Sequence, residues 1–236
     1  LVTPGEVGSV KNEDRIVMCP RGGTSLFGWF ELGGCHVDKE AANLFLKRAQ
    51  NNVGLIIPGI APLRDTFWGK WLWQNPKMFE ELKVFMEEIH KTGAKLFVQL
   101  TAGMGRSWAI TELVGPLHKN KFTRAIMKPI LDTSHELASP SAQPARWAPD
   151  IECPEMTVHQ IHEIIEAFAK TAKLCRDAGV DGVEVHAVHE GYLLDQFAIE
   201  FFNKRTDEYG GSFENRYRFA AEVVKAIKAE CGSAFP

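Results

Sequence analysis

The sequence predicts a parallel α/β fold, and three observations carry that prediction. Short apolar runs alternate with amphipathic helical patterns four times along the chain. The helical patterns are long enough to cross back over a sheet, so consecutive strands would run parallel with right-handed connections. The protic and small residues gather where the apolar runs end, and parallel α/β folds collect their functional groups there. An open doubly wound sheet and half of an eightfold barrel both satisfy this order. Four units in 236 residues scale to a barrel of about 400 residues or more, within the range of barrels with insertions.

The elements follow in order. "RIVMCP" (15–20) reads as the first strand, stopped by Pro20. "DKEAANLFLKRAQNN" (38–52) reads as a helix capped by Asp38. "GLIIPGI" (54–60) is the second strand. "NPKMFEELKVFMEEIHKTG" (75–93) is a helix with Asn75 at the cap, Pro76 at its first position and Gly93 past its end. "KLFVQL" (95–100) is the third strand, and an irregular stretch rich in Pro, Gly, Ser and Trp runs from Thr101 to Glu155. A loop of that length inside a compact domain reads as a functional lid. "TVHQIHEIIEAFAKTAKLCRDAG" (157–179) opens with a Thr157/Gln160 capping box and repeats Ile161, Ile164, Ile165, Phe168 and Ala172 at helical spacing. "GVEVHAV" (182–188) is the fourth strand and "FENRYRFAAEVVKAIKAECG" (213–232) the last helix. The sequence stops at "AFP" (234–236), where a fifth strand would start, so the expected unit is the N-terminal part of a barrel domain, residues 1–236.

Composition narrows the partners. A net charge of −3 leaves no basic footprint for nucleic acid or an anionic membrane. No apolar run is long enough to span a bilayer. Cys19, Cys35, Cys153, Cys175 and Cys231 are scattered and odd in number, without C-x-x-C spacing, which suggests neither a disulfide framework nor a zinc site. A reducing cytoplasm is the expected compartment. The histidines His186 and His189 lack the H-E-x-x-H spacing of a helical zinc site, so no metal is expected there. His159 and His162 read as a solvated helix face. The aromatic run "DTFWGKWLW" (65–73) reads as loop packing or a subunit contact, which leaves homo-oligomerisation open.

The strand ends supply Cys19-Pro20-Arg21-Gly22-Gly23-Thr24, then Gly59, then Gln99-Leu100-Thr101, then His186 with His189, Glu190 and Tyr192. Small residues at the first two ends would let a flat ring approach the backbone. Gln99 offers an amide donor and an acceptor on one side chain. Two histidines can donate hydrogen bonds to a carbonyl, and a tyrosine can donate a proton. Together these groups could bind a planar heterocycle and polarise an unsaturated carbonyl beside it.

"HAVHEGYLLDQF" (186–197) and "NKRTDEYGGSFENRYRF" (203–219), supported by "DRIVMCP" and "FVQLTAGMGRS", resemble the old yellow enzyme family of FMN-dependent ene-reductases. Within it, the sequence is most similar to the branch of 2,4-dienoyl-CoA reductases, 2-enoate reductases and bile-acid-inducible steroid reductases. The resemblance covers almost the whole chain. It implies a TIM (β/α)8 barrel, of which about the first four βα units are present, with FMN at the carboxyl face. It also implies hydride transfer from NAD(P)H to FMN and on to the activated alkene of a small unsaturated carbonyl compound: an enone, an enoate or an enoyl thioester.

By resemblance, Cys19, Pro20, Arg21 and Thr24 would line the flavin. Gly59 and Gln99 would meet its pyrimidine side. His186 would reach both flavin and substrate carbonyl with His189 as its partner, and Tyr192 would protonate the α-carbon. The resemblance further implies a [4Fe–4S] cluster and an FAD domain in the full-length protein, beyond these residues. The "RTDEYGGSFENR" block would shape the loop before the last helix. Three positions depart from the family pattern: Glu190 is inserted before Gly-Tyr, Thr101 stands where a histidine follows the Gln, and Arg21-Gly22 replaces a Met-centred segment. Two other readings compete, a barrel-derived binding module without turnover and a different TIM-barrel enzyme such as an aldolase. No lysine stands at the proposed strand ends, which argues against Schiff-base chemistry.

Overall fold

The computed structural model describes residues 3–28, 35–109, 111–187, 189 and 191–236. Val188 and Glu190, and with them the end of the fourth predicted strand and the inserted glutamate, lie outside the described residues.

The chain opens with an antiparallel hairpin, β1 (Gly5–Val7) and β2 (Val10–Asn12), before the first parallel strand β3 (Val17–Met18). A second short hairpin, β4 (Phe27–Gly28) with β5 (His36–Val37), precedes helix α1 (Lys39–Ala49). Asp38 caps α1 as expected, its carboxylate accepting the Ala41 N–H at 2.7 Å. The second strand is split into β6 (Leu55–Ile56) and β7 (Ala61–Pro62). Both pieces pair with β8 (Lys95–Thr101), Leu55 with Lys95 and Ala61 with Leu100. Seven residues, 55–61, therefore oppose six, 95–100, and the extra residue bulges the segment that carries Gly59.

Helix α2 (Pro76–His90) starts with Pro76 as predicted. Asn75 occupies the cap position without capping. Its Nδ2 instead donates to the carbonyls of Trp71 and Leu72, closing the turn before the helix. Helix α5 (Val158–Asp177) keeps its predicted box: Thr157 Oγ1 accepts from Gln160 N–H and Gln160 Oε1 accepts from Thr157 N–H. Ile161, Ile164, Phe168 and Ala172 are buried, and Ile165 is only half-buried at the stripe's edge. Strand β11 (Gly182–Val185) and helix α7 (Phe213–Cys231) complete the fourth unit.

The parallel order is β3–β6–β8–β11. Alternation along the strands divides two layers. Leu96, Val98, Leu100 and Val183 join the core beneath the helices. Leu55, Ile57 and Phe97 pack inside the barrel against Val10 of the first hairpin, which closes its floor. At the free edge of β11, Val183 N–H donates to the Pro236 carbonyl.

The stretch between β8 and α5 is more ordered than a lid. It contains α3 (Thr111–Lys119), α4 (Lys121–Met127) and the hairpin β9 (Gln143–Pro144)/β10 (Glu152–Cys153). Trp108, Val114, Leu131, Leu137, Ala145, Ala148, Ile151 and Cys153 give it a core of its own. Gly115 and Pro116 interrupt the helical signal of α3, and composition therefore misreads it as loop. The aromatic run packs as expected: Trp71 meets His135 edge-on, Trp73 lies under Lys170 of α5, and Trp68 alone is well exposed.

The "RTDEYGGSFENR" block ties this insertion to the barrel. Arg205 is 5% exposed. Its guanidinium donates to the carbonyls of Pro140 (2.9 Å) and Met156 (2.6 Å) and grips Asp207 with two further bonds. Asn203 Nδ2 bridges the carbonyls of Phe197 and Tyr209, both at 2.7 Å. The Tyr209 hydroxyl donates to Glu222 of α7 and contacts His162 of α5, so His162 belongs to this junction. A Cβ on Gly210 would stand 2.3 Å from the Arg205 carbonyl, which explains the glycine. Arg205→Ala is expected to cost about 3–5 kcal/mol, because it strands Asp207 and two buried carbonyls. A fall in the urea midpoint of the full-length protein measures this, and an unchanged midpoint contradicts the clamp.

Candidate active site

The carboxyl end of β11 continues the ladder by one bond, His186 N–H to the Leu100 carbonyl at 2.9 Å. That bond fixes His186 above Glu184 on the inner face, as the strand period requires. The chain then turns. Asp195, buried at 6% exposure, accepts the backbone N–H groups of His189 (2.6 Å) and Gly191 (3.0 Å). Directly after the turn comes a six-residue helix, α6 (Leu193–Ala198), which the sequence reading missed. Tyr192 holds its N-cap position, and Leu193, Leu194 and Phe197 anchor it in the core.

This turn brings three rings together. The His186 and His189 centroids lie 5.2 Å apart, His186 and Tyr192 5.1 Å, His189 and Tyr192 5.3 Å. All three line one cleft with Pro20, Arg21, Gly22, Gly59, Ile60 and Gln99. Seven of the nine residues proposed from the sequence thus meet at one place. Cys19 and Thr24 do not line the cleft. Thr24 spends its hydroxyl on the Arg21 carbonyl at 2.6 Å, closing the loop after β3, and Cys19 is exposed beside it.

Two further findings refine the chemistry. Gln99 lies on the inner face of β8, but its Nε2 is taken by Glu184 Oε1 at 2.5 Å, since the two residues are ladder partners. One amide N–H and the amide oxygen remain for a ligand. A Cβ on Gly59 would stand 2.5 Å from the Arg21 carbonyl. The missing side chain therefore makes room for the 21–24 loop, whose Thr24 carbonyl accepts the Gly59 N–H at 2.9 Å. Burial, and secondarily the neighbouring His189, lower the pKa of His186 below its usual 6.5, while Asp195 opposes the shift. His186 is accordingly a neutral imidazole at pH 7.

A second cleft of about 270 Å³ adjoins the first through Ile60. Phe67, Met104 and Trp108 make it apolar, while Thr101, Arg64 and Glu136 add polar groups. Arg64 is paired with Asp132 at 2.6 Å. Burial pushes the Glu136 carboxyl up to about 7, against the pull of Arg64. A cleft of about 620 Å³ lies behind the 187–195 turn against α7 and contains none of the three rings. The convergent polar groups lie in the first two clefts and not in this one. Sequence reasoning missed Asp195 and Glu184. Glu184 stands two residues before His186 on the same strand face, and Asp195 stands at the third position of a helix too short to show a period. No group of three or more His, Cys, Asp or Glu among the described residues is arranged to hold a metal ion.

Two outcomes follow from these environments. Burial raises the thiol pKa values of Cys35 to about 12 and Cys153 to about 11, and also raises those of Cys175 and Cys231. Of the five, Cys19 alone is exposed, and it should be the one alkylated under native conditions when peptides are mapped by mass spectrometry. Glu136 is raised from 4.5 to about 7 in the folded state. Its contribution to stability is therefore complete below about pH 4.5 and is lost as the pH rises through 7, a change of order 3 kcal/mol. Glu136→Gln should flatten that slope in denaturation curves taken between these values.

The structural neighbours are old yellow enzymes and their relatives. Old Yellow Enzyme from Pichia sp. AKU4542 superposes with a TM-score of 0.77 at 29% identity, over 99% of this chain and 57% of its own. A 2-naphthoyl-CoA reductase in complex with 2-naphthoyl-CoA gives the same score at 24% identity, over 100% of this chain and 34% of its own, and bears on the fold alone. These neighbours make the architecture a TIM barrel of which this chain forms the first four units. Among curated proteins, cinnamate reductase of Clostridium sporogenes is 38% identical over 247 aligned residues, covering 100% of this chain and 33% of the relative. A 12-oxophytodienoate reductase of Oryza sativa subsp. japonica is 30% identical and covered to 56%. The chain thus spans a third to somewhat over half of these relatives. The NADH:flavin oxidoreductase / NADH oxidase family model matches residues 1–235, and the chain belongs to that family.

Proposed function

We propose that this chain carries the ring-binding and substrate-polarising part of an FMN-dependent oxidoreductase. It reduces the activated C=C bond of an α,β-unsaturated carbonyl compound with electrons from NAD(P)H. The observation that carries this reading is the cleft at the strand ends, in which His186, His189 and Tyr192 converge opposite Gln99. Residues 1–236 are then the N-terminal part of the barrel domain. The sequence resemblance to the 2-enoate reductase branch adds FAD and a [4Fe–4S] cluster to the cofactors proposed for the full-length protein. Five free thiols suit a reducing cytoplasm.

The cleft fits a flavin in kind. Its walls at Pro20, Gly22 and Gly59 are small, and Gln99 presents an amide oxygen and one free amide N–H, which complement an imide. Bound there, FMN supplies hydride transfer from NAD(P)H to the β-carbon of the alkene.

The protein side does the rest. Hydride addition to an unsaturated carbonyl builds negative charge on its oxygen. His186 and His189 are spaced to donate two hydrogen bonds to that oxygen, and aimed donors in a partly dry site stabilise developing charge most effectively. Tyr192 delivers the proton to the α-carbon and keeps part of its surface open to solvent, from which it is reprotonated. Glu184 accepts one Gln99 amide proton and so fixes that side chain beside the cleft. The neighbouring apolar cleft with Phe67 and Trp108 favours a flat, apolar β-substituent. An aryl enoate of the kind named for the cinnamate reductase is the first substrate to try.

The full-length protein, supplied with FMN, should be yellow and should bleach on adding NADH or NADPH. With trans-cinnamate, Tyr192→Phe is expected to lower turnover by roughly 10²–10⁴ while leaving bleaching by NADH unchanged. His186→Ala should weaken carbonyl ligands and lower kcat by about 10²–10³. Unchanged turnover in Tyr192→Phe removes tyrosine as the acid. A colourless protein after FMN addition removes the reading.

A further inference from the structure

We infer that Thr101 is a positioning residue that holds the His186 imidazole in the tautomer with its proton on Nε2, and so turns an N–H toward the substrate carbonyl. The inference rests on the reading of His186 as carbonyl donor and adds how that donor is kept.

The argument is a proton count. Thr101 follows Gln99 by two on β8, so both face inward, and the ladder sets Thr101 beside His186. Thr101 is 1% exposed and His186 8%, so the contact between them is buried. The Gly103 backbone N–H lies 3.3 Å from Thr101 Oγ1 and can only donate to it. Thr101 Oγ1 lies 3.2 Å from His186 Nδ1. Among the described residues the threonine hydroxyl has no other hydrogen-bond partner.

A hydroxyl carries one proton and two lone pairs. If Nδ1 carried the imidazole proton, Oγ1 would accept twice and its own proton would be buried without an acceptor, which costs about 1–3 kcal/mol. If Nδ1 is the acceptor, every group is satisfied: Gly103 N–H donates to Oγ1, and Oγ1–H donates to Nδ1. The neutral ring then bears its proton on Nε2, which has no partner among the described residues, and the ring lines the cleft. A carbonyl oxygen there meets a donor. The opposite tautomer would present a lone pair and repel it.

Thr101→Val keeps the shape and removes the hydroxyl, while Thr101→Ser keeps the hydroxyl. Nitrogen-15 NMR of the full-length protein should show His186 Nε2 as the pyrrole-type nitrogen and Nδ1 as the pyridine-type one. The Ser variant should match, and the Val variant should show mixed tautomers. With trans-cinnamate and bound FMN, Thr101→Val should lose about tenfold in kcat/KM, Thr101→Ser should stay within about twofold, and bleaching by NADH should not change in either. A pyrrole-type Nδ1 in the unsubstituted protein overturns the inference. So does a Val variant with unaltered tautomer and turnover, or a Ser variant as impaired as Val. If His186→Ala leaves cinnamate reduction intact, the donor role of His186 fails, and the nitrogen signals still decide the tautomer.

Discussion

The parallel ladder between β8 and β11 is the constraint on which the site depends. It pairs Gly182 with Phe97, Val183 with Val98, Glu184 with Gln99 and Val185 with Leu100, and His186 N–H adds one bond beyond it. Because side chains alternate along a strand, a slip of one residue would turn Gln99, Thr101 and His186 into the helix layer and bring Val98 and Leu100 inward. The apolar burial of Val98, Leu100 and Val183 opposes that slip. At roughly 1.5–3 kcal/mol for each fully buried aliphatic side chain, the register is held by more energy than any polar contact in the cleft provides. Glycine at 182 allows the fit, since a Cβ there would press on the Phe97 ring at 2.7 Å. The chemistry is thus positioned by apolar residues on the opposite face of the same strands.

Beyond the ladder the ring cluster is held by fewer and more directional bonds. Asp195 accepts two backbone N–H groups of the turn, and Gln196 donates to the carbonyls of Met104 and Gly191. Gln196 is wholly buried, so it knits the turn after β11 to the segment after β8. Helix α6 is anchored by Phe197, whose ring packs edge-on against Phe219 of α7 at 5.0 Å. Asn203 and Arg205 then secure the far end of α6 and the base of the insertion. The signature block thereby acts on the site at a distance. It fixes where α6 ends, and α6 fixes where Tyr192 begins.

What the sequence disclosed follows the range of each signal. Asp38, Pro76, Gly93 and the Thr157/Gln160 box are local signals, and all four recur in the structure with their expected bonds or backbone shape. Asn75 stands in a capping pattern as good as the others, yet its side chain turns back to Trp71 and Leu72, a choice made by the preceding turn. Helix α6 has six residues and nearly all of them are buried, so it shows neither length nor a polar face. The insertion was hidden by Gly115 and Pro116 and by strands of two residues. At the site, residues on strands were legible because alternation fixes their face. Thr24 was not, because its hydroxyl serves a loop three residues long. Gln99 lies on the inner face, as alternation along the strand requires, but its partner Glu184 lies 85 positions away, and only pairing of the two strands reveals that one amide proton is already engaged.

Burial separates the roles of the three rings. A group that stabilises a developing oxyanion by donation should keep its proton throughout, and one that completes the alkene should give its proton up. His186 is buried and its pKa is lowered, so it neither gains a proton at pH 7 nor stands as an imidazolium that would bind anions indiscriminately. Its N–H is retained because a neutral imidazole gives up its remaining proton only at very high pH, and the hydroxyl of Thr101 at Nδ1 aims that proton outward. Tyr192 is only half-buried, at the mouth of the turn, with a route by which solvent restores its proton. His189 is the most exposed of the three, and its backbone, not its ring, is fixed by Asp195. Its ring can therefore adjust to the carbonyl that His186 has already bound, which lets one cleft accept carbonyl oxygens of different substituents without disturbing the buried donor.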